Sequence, residues 1–312
     1  MTPVTRFRST AAISAAAAIA LLIAACGGSS TATPAATTTA SAPVQAADGS
    51  AAAASDASAS ASTNSDTPSS TGPRPAPIVY RPPGLSRSGA VPLVVALHAS
   101  GGTPALFEAR TGWDQVANKH GFVVAYLGSA APAWKDPSNV NYIGSMIRRI
   151  KRSQHIDPRR VFVTGFSAGG FISFEVACRL SGLVAAIAPV SGVMAPQTCK
   201  PPHPVSMLSI FGTKDIIPLN GTARFPSVYA VAAHWRKLDS CGSSRASRVQ
   251  QVGPTREQLW SPCASGAAVG LDIINGGRHI YPGAPQAAPG SPDASFHASP
   301  AIWAFFAAHP AG

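Results

Sequence analysis

The chain has 312 residues and a formal net charge of +11 at pH 7, from 24 lysines and arginines against 13 aspartates and glutamates. Its length could hold two average domains, but residues 1–75 have a composition unlike that of a folded domain, so we predict one domain. A high positive charge is common among proteins that bind nucleic acids. We predict no nucleic-acid binding, because neither a recognition motif nor an interleaved aromatic pattern accompanies the basic residues.

The first 25 residues are typical of a secretory signal peptide. Two arginines precede an apolar stretch over 11–25, which is shorter than an ordinary membrane span. Small residues stand directly before Cys26, and this pattern resembles the bacterial lipobox, in which the cysteine is lipidated and becomes the mature N-terminus. The alternative is a plain signal peptide followed by an incidental cysteine. We favour lipidation of Cys26, which would anchor the protein to a membrane without spanning it.

Residues 26–75 consist almost entirely of Ala, Ser, Thr, Pro and Gly. Such a segment buries too little apolar surface to offset the entropy lost on ordering. We therefore predict a lipidated, disordered tether over 26–75 and a folded domain over 76–312.

Apolar runs and helical patterns alternate along the domain. Strands are predicted at 92–97, 122–126, 160–164, 185–190, 205–211 and 271–274. Helices are predicted at 113–120, 143–152, from 168 onward, at 227–238 and at 300–308. This order predicts an α/β fold with a mostly parallel central sheet, helices on both faces, and functional loops at the carboxyl ends of the strands.

One strand ends in the pattern Gly165-x-Ser167-x-Gly169. A serine on a sharp turn between a strand and a helix has strained dihedral angles, and side chains at the flanking positions would collide with their neighbours. The following helix directs free N–H groups and its positive dipole end at the same place. The motif alone could merely pack a helix against a strand. Because a strand precedes it and a helical pattern follows, we interpret Ser167 as a nucleophile.

A serine nucleophile needs a general base and a carboxylate that orients the base. Asp215 follows the strand predicted at 205–211, and His279 follows the strand predicted at 271–274, so both lie in loops at strand ends. The order Ser167, Asp215, His279 is that of the α/β-hydrolase triad. Other downstream acids and histidines are better explained as structural residues, namely Glu175, Asp272, His234, His297 and His309.

Four cysteines remain once Cys26 is set aside, an even number that suits an oxidising compartment. Four cysteines permit three pairings, and spacing alone does not choose among them. We favour Cys178 with Cys199 and Cys241 with Cys263, because each pair closes a short local loop. A metal site built from the four is disfavoured, since no Cys-x-x-Cys spacing is present.

Over residues 92–309 the chain resembles the poly(3-hydroxybutyrate) depolymerase and feruloyl-esterase-like α/β-hydrolases, many of which are secreted bacterial lipoproteins. The carriers of the resemblance are LHASGG at 97–102, the stretch 117–126, GFSAGG at 165–170, GTKD at 212–215 with Pro218, and GRHIYPG at 277–283. The resemblance implies an α/β-hydrolase fold. It assigns the nucleophile, acid and base roles to Ser167, Asp215 and His279.

The resemblance also implies an oxyanion hole. Its donors would be the backbone N–H of Ala168 and one N–H from the loop after His98, at Ala99 or Ser100. The chain departs from the family at Ala99, where glycine is common, at Phe211, where histidine is frequent, and at 141–142, where the family tends to carry aspartates. These departures do not remove the backbone donors. They bear on which substrate is bound and on the shape of the cleft.

We therefore predict an exported serine carboxylic-ester hydrolase that acts through an acyl-enzyme. Its partners would be an ester substrate, either a small acyl ester, a polyester or an esterified polysaccharide, and the membrane that holds its lipid. No metal or organic cofactor is expected, and the protein is expected to be a monomer. The alternatives are an envelope acyltransferase or serine peptidase on the same triad, and a non-catalytic surface-binding lipoprotein. An intact triad disfavours the last of these.

Overall fold

A computed structural model of the protein describes residues 73–130, 132–194 and 199–312. These residues form a nine-stranded sheet in the order β1-β3-β2-β4-β5-β6-β9-β8-β7. The strands are β1 (Ile78–Tyr80), β2 (Val91–Leu97), β3 (Val123–Leu127), β4 (Ile156–Phe166), β5 (Ala186–Val190), β6 (Ser206–Gly212), β7 (Arg248–Val252), β8 (Thr255–Trp260) and β9 (Val269–Ile274). The helices are α1 (Pro104–Thr111), α2 (Trp113–His120), α3 (Ser138–Gln154), α4 (Ala168–Leu180), α5 (Val228–Leu238), α6 (Pro292–Ser295) and α7 (Ala298–Ala308).

The centre of the sheet is parallel. Strands β3, β2, β4, β5, β6 and β9 pair in parallel, whereas β1, β8 and β7 add to the two edges in antiparallel orientation. Strands β2, β3, β5, β6 and β9 are buried along their whole length. Continuous apolar runs suit such strands, because helices cover both of their faces. The predicted α/β architecture is confirmed.

Two layers of helices enclose the sheet. Helices α3, α4 and α5 pack on one face, where Phe174 of α4 contacts Trp235 of α5. Helices α1, α2 and α7 pack on the other face, where Trp303 of α7 stacks on Phe122 with ring centroids 3.9 Å apart. Because the central strands run in parallel, their carboxyl ends lie at one common edge of the sheet, where the loops that follow them can meet.

The predicted strands and helices are confirmed, although α3 begins at Ser138 rather than at residue 143. The sequence patterns do not predict strand β1, helices α1 and α6, or the hairpin formed by β7 and β8. Strand β7 is exposed along its length and carries polar residues, so it lacks the apolar pattern on which strand prediction depends. Strand β1 has only 3 residues and α6 only 4, which is too short for a periodic signal.

The predicted signal peptide and Cys26 lie outside the described residues, as does the predicted tether except for residues 73–75. Arg74 already contacts the domain, since its guanidinium donates to the Gly128 carbonyl at 3.1 Å and to Asn139 Oδ1 at 2.6 Å. The domain therefore includes residues before the predicted boundary at 76. None of the helices in the described ranges has the length and apolar character needed to cross a membrane.

The structure contains two disulfide bonds, Cys178–Cys199 and Cys241–Cys263. This is the pairing that the sequence analysis favoured among three. The first bond ties α4 to the segment that leads into β6, and the second ties the end of α5 to the segment that leads into β9. Both bonds close loops of about 20 residues, since their sequence separations are 21 and 22.

Two buried carboxyl groups should make the stability of the domain depend on pH. Burial raises the pKa of Asp239 to about 7 and the pKa of Asp272 to about 8, against a usual value of 3.8. Between pH 4 and 8 the folded chain therefore binds more protons than the unfolded chain, so the free energy of unfolding should fall as the pH rises. Each group contributes at most about 1.4 kcal/mol per pH unit.

Urea denaturation at pH 5, 6, 7 and 8 measures this slope. We expect Asp272→Asn, which mimics the protonated acid, to have a clearly shallower slope than the parent chain. Asp157→Asn is the matched control, because the Asp157 side chain lies near the surface and its Oδ1 accepts from the Arg159 N–H. An unchanged slope in Asp272→Asn would contradict the assignment.

Candidate active site

Ser167 occupies the turn between β4 and α4, with φ 52° and ψ −114°. Positive φ is unfavourable for a residue with a Cβ, so neighbouring contacts must hold it. One of these is the hydrogen bond from the Ser167 N–H to the Val190 carbonyl of the adjacent strand, at 2.9 Å. The turn presents the hydroxyl at the edge of the sheet where the parallel strands end.

The glycines on both sides of Ser167 are required by close backbone contacts. A Cβ at Gly165 would lie 2.4 Å from the carbonyl group of Gly169. A Cβ at Gly169 would lie 2.0 Å from the Leu97 carbonyl oxygen and 2.9 Å from that of His98. The start of α4 is thus pressed against the end of β2, which places Ala168 beside the loop that carries Ala99 and Ser100.

The three residues singled out from the sequence meet through hydrogen bonds. His279 Nε2 lies 2.9 Å from Ser167 Oγ, and His279 Nδ1 lies 2.8 Å from Asp215 Oδ1. Asp215 follows β6 and His279 follows β9, and these two strands are neighbours in the sheet. The arrangement is a serine, an imidazole and a carboxylate in line, as a general-base-assisted nucleophile requires.

The Asp215 side chain is fully buried and that of His279 is 18% exposed. Asp215 Oδ1 also accepts a hydrogen bond from the Ile217 N–H at 2.8 Å, which fixes the carboxylate against its own loop. With its Nδ1 facing a carboxylate, His279 carries its proton on Nδ1 and leaves Nε2 free to accept the Ser167 proton.

Asp293 supports the His279 loop, and sequence analysis had given it no role. Both of its carboxylate oxygens lie 3.1 Å from the backbone N of Arg278, the residue before His279. The Asp293 backbone carbonyl accepts from the Gly283 N–H at 2.7 Å, so Asp293 binds the loop on both sides of His279. Burial raises the pKa of Asp293, and the nearby Asp215 charge adds to the effect. No periodic or motif signal identifies such a contact in advance.

We expect Asp293→Asn to lower kcat for ester hydrolysis about tenfold while KM changes less than twofold. The amide supplies only one acceptor oxygen to the Arg278 N–H, so the His279 ring should shift relative to Ser167, and small misplacements cost rate. Steady-state kinetics on a p-nitrophenyl ester measures the effect. Asp114→Asn is the control, because Asp114 accepts from the Tyr126 hydroxyl at 2.7 Å away from this loop. Equal kcat losses in both variants would contradict the positioning role.

The loop after β2 is held by a buried histidine. The Ser129 N–H donates to His98 Nε2 at 3.3 Å, so the ring proton lies on Nδ1 and points to the Ala99 carbonyl at 2.7 Å. Burial lowers the pKa of His98, which favours this neutral form. Trp134 Nε1 donates to the His98 carbonyl at 2.8 Å. These bonds fix the loop that holds the predicted second oxyanion donor, and sequence analysis had not assigned Trp134 to it.

Two cavities flank the serine. The first has a volume of about 300 Å³ and is lined by the 98–103 loop, by Leu106 and Phe107 of α1, and by residues around His279. The second has a volume of about 290 Å³ and is lined by Ala168, Trp134 and several charged side chains. Phe166 lines the first cavity and Ala168 lines the second, so the two chain neighbours of Ser167 border different cavities. An ester bound at Ser167 could place its two halves in different surroundings.

Of the acids and histidines that the sequence disfavoured as catalytic residues, Glu175 lines the second cavity, and the others line neither cavity. Glu175 is exposed on α4, Asp272 is buried within β9, and His234 lies on α5. His297 stands directly before α7, and His309 directly after it. None of these side chains joins the hydrogen-bonded chain of Ser167, His279 and Asp215.

Comparison with known proteins identifies relatives among the esterases. The chain is 28% identical over 227 residues to feruloyl esterase B of Piromyces equi, a match that covers 65% of this chain and 42% of that protein. It is 32% identical over 167 residues to poly(3-hydroxyalkanoate) depolymerase C of Paucimonas lemoignei, covering 49% of this chain and 36% of the relative. The matches thus span less than half the length of these relatives. No family model matches the chain.

Among solved structures, the acetyl xylan esterase from Aspergillus awamori superposes with a TM-score of 0.55 at 17% identity, covering 74% of this chain and 93% of the other. Together with the sheet order, this similarity confirms the α/β-hydrolase fold. The relatives likewise confirm the resemblance to feruloyl esterases and polyhydroxyalkanoate depolymerases that the motifs had indicated.

Proposed function

We propose that this protein is a serine carboxylic-ester hydrolase whose catalytic residues are Ser167, His279 and Asp215. The observation that carries the proposal is the continuous hydrogen-bonded chain from Ser167 Oγ through His279 to Asp215. The similarity to esterases supports the choice of an ester as substrate.

The proposed reaction begins when His279 Nε2 takes the Ser167 proton and Oγ attacks the ester carbonyl carbon. The carbonyl oxygen becomes an oxyanion, which the backbone N–H groups of Ala168 and of Ala99 or Ser100 stabilise. The intermediate then collapses, the alkoxy group departs with the proton from His279, and an acyl-serine remains. Water attacks this ester with His279 again as base, and the acid is released. Asp215 holds the ring and stabilises its protonated form throughout.

The first cavity is the proposed acyl site. Its walls are largely apolar, with Leu106, Phe107, Phe166 and Tyr281 among them, and it is bordered by the oxyanion loop. An acetyl group would leave most of its 300 Å³ empty, so a larger apolar acyl group gains more from burial. The second cavity carries Lys135, Asp136, Glu175 and Arg179, and we assign the polar alcohol half of the substrate to it.

Two measurements test the proposal. A fluorophosphonate probe should label Ser167, identified by peptide mass spectrometry, and the label should be absent from Ser167→Ala. In a panel of p-nitrophenyl acetate, p-nitrophenyl ferulate and p-nitrophenyl 3-hydroxybutyrate, which share one leaving group, we expect kcat/KM to be higher for one of the bulky acyl esters than for the acetate. Faster turnover of amides, or transfer to an added alcohol in preference to water, would favour a peptidase or an acyltransferase instead.

We also propose that the mature protein is exported and lipid-anchored. The support is the sequence before Cys26 and the two disulfide bonds, which suit an oxidising compartment. Cys26→Ser should release the protein from the membrane fraction into the medium, because the modified cysteine is the only anchor that the proposal contains. Unchanged partition into the membrane fraction would contradict lipid anchoring.

A further inference from the structure

A third cavity, of about 470 Å³, lies on the face of the sheet that α7 covers. It shares no lining residue with the two cavities beside the serine. Its floor consists of strands β6, β7, β8 and β9, and its wall is the outer side of α7. Its lining includes Arg248, Gln250, Glu257, Asp272 and Phe305.

Asp272 lines this cavity and has only 6% of its surface exposed. No hydrogen bond or ion pair reaches its carboxyl group from the residues that the structure describes. A carboxyl group that has little exposed surface and no partner in the protein is stabilised only by what occupies the cavity beside it, whether the group is ionised or protonated. The proposed ester hydrolysis does not use this group, so its burial calls for another explanation.

Asp272 belongs to a row of polar side chains that crosses three strands. Glu257 of β8 is the register partner of Asp272, and Gln250 of β7 is the register partner of Glu257. The Gln250 amide donates to the Glu257 carboxylate. Because neighbouring strands are about 4.8 Å apart, the row extends over about 10 Å, which is the length scale of a disaccharide.

The charges of the cavity select a neutral ligand. Burial raises the pKa of Asp272 to about 8, so this acid is mostly neutral at pH 7, and the charges of the Glu257 carboxylate and the Arg248 guanidinium offset one another. A hydroxyl group both donates and accepts, so it can use carboxyl, amide and guanidinium groups together. Phe305, Leu208 and Ala304 supply apolar surface beside the polar row, as carbon-bound hydrogens of a sugar ring would require.

We propose that this cavity is a binding site for a neutral oligosaccharide, separate from the catalytic centre. Asp272, Glu257 and Gln250 would bind successive hydroxyl groups along the row, and Phe305 would contact the apolar face of a sugar ring. Such a site would hold the protein on a polysaccharide whether or not an ester bond is bound at Ser167.

Isothermal titration calorimetry of the full-length Ser167→Ala chain with xylotetraose, cellotetraose and maltotetraose tests the proposal. We expect at least one of these unesterified sugars to bind, and Asp272→Leu and Glu257→Gln, each added to that chain, to weaken binding at least tenfold. Asp157→Asn, which changes a carboxylate outside the cavity, should leave Kd within twofold. Glu257 lies on an edge hairpin and is partly exposed, so Glu257→Gln decides the question if Asp272→Leu does not fold.

Three results would overturn the proposal, namely the absence of binding by all three sugars, binding that both substitutions leave unchanged, and binding of putrescine in place of the sugars. Unchanged sugar binding in both variants would place the sugar at Ser167 or elsewhere. Asp272→Leu with Ser167 intact should hydrolyse p-nitrophenyl acetate at the parent rate. Failure of ester hydrolysis would therefore be distinguishable from failure of sugar binding.

Discussion

Replacing Ser167 by alanine should lower kcat/KM for ester hydrolysis by about 10⁴-fold to 10⁶-fold while the domain stays folded. The hydroxyl is the attacking group, and His279 and Asp215 have no other nucleophile to activate, so the three residues lose their effect together. Residual turnover should come from the backbone oxyanion donors and from substrate binding. Initial rates with p-nitrophenyl acetate, together with far-UV circular dichroism, measure both parts of the expectation.

Ser100→Ala is the matched control for this substitution. It removes a serine hydroxyl beside the same cavity but keeps the backbone N–H that we assign to the oxyanion hole. Its kcat/KM should stay within about threefold of the parent value. The nucleophile assignment would be wrong if Ser167→Ala kept more than a few per cent of the activity, or if both variants lost activity equally.

Gly169→Ala should have the second largest effect, because it damages the site and the fold at the same time. The new Cβ would lie 2.0 Å from the Leu97 carbonyl oxygen and 2.6 Å from its carbon, and both are backbone atoms that no rotamer change can move. Either α4 must withdraw from β2 or the loop after Leu97 must shift. Both movements separate the Ala168 N–H from its proposed partner in the oxyanion hole.

We expect this variant to lose about 3 kcal/mol in the free energy of unfolding, at the upper end of the usual cost of overpacking. We expect its kcat to fall by about 10²-fold to 10³-fold, the typical effect of losing one oxyanion donor. Urea denaturation and ester hydrolysis measure the two losses. Gly242→Ala is the control, since a Cβ there meets no atom within 4 Å. Parent-like activity in Gly169→Ala would show that the close approach of α4 to β2 is not needed for catalysis.

The two predictions depend on different levels of structure. The proposed role of Ser167 depends on its place in a five-residue turn, whereas the expected effect at Gly169 depends on the close approach of α4 to β2. The proposed role of Asp293 also depends on tertiary contacts, because its carboxylate reaches the His279 loop through the backbone N–H of Arg278.

Much of the fold could be predicted because its signals are local. The apolar runs of β2, β3, β5, β6 and β9 are continuous, since both faces of each strand are buried, and the helices between them are periodic. The turn at Ser167 is equally local, because its glycines follow from steric contact within a strand, a turn and a helix. Asp215 and His279 could be named as candidates because each follows a predicted strand, and parallel strands end at one edge of the sheet.

What the sequence alone determined about this protein is therefore its architecture and the candidates for its catalytic residues. Only the tertiary structure decided the hydrogen bonds of Asp293 to the His279 loop and of Trp134 to the loop after β2. It also decided the register that sets Glu257 opposite Asp272. Contacts of this kind join segments of irregular or polar sequence, where no period marks the partner. They depend on how loops and an exposed hairpin pack, which no short stretch of residues encodes.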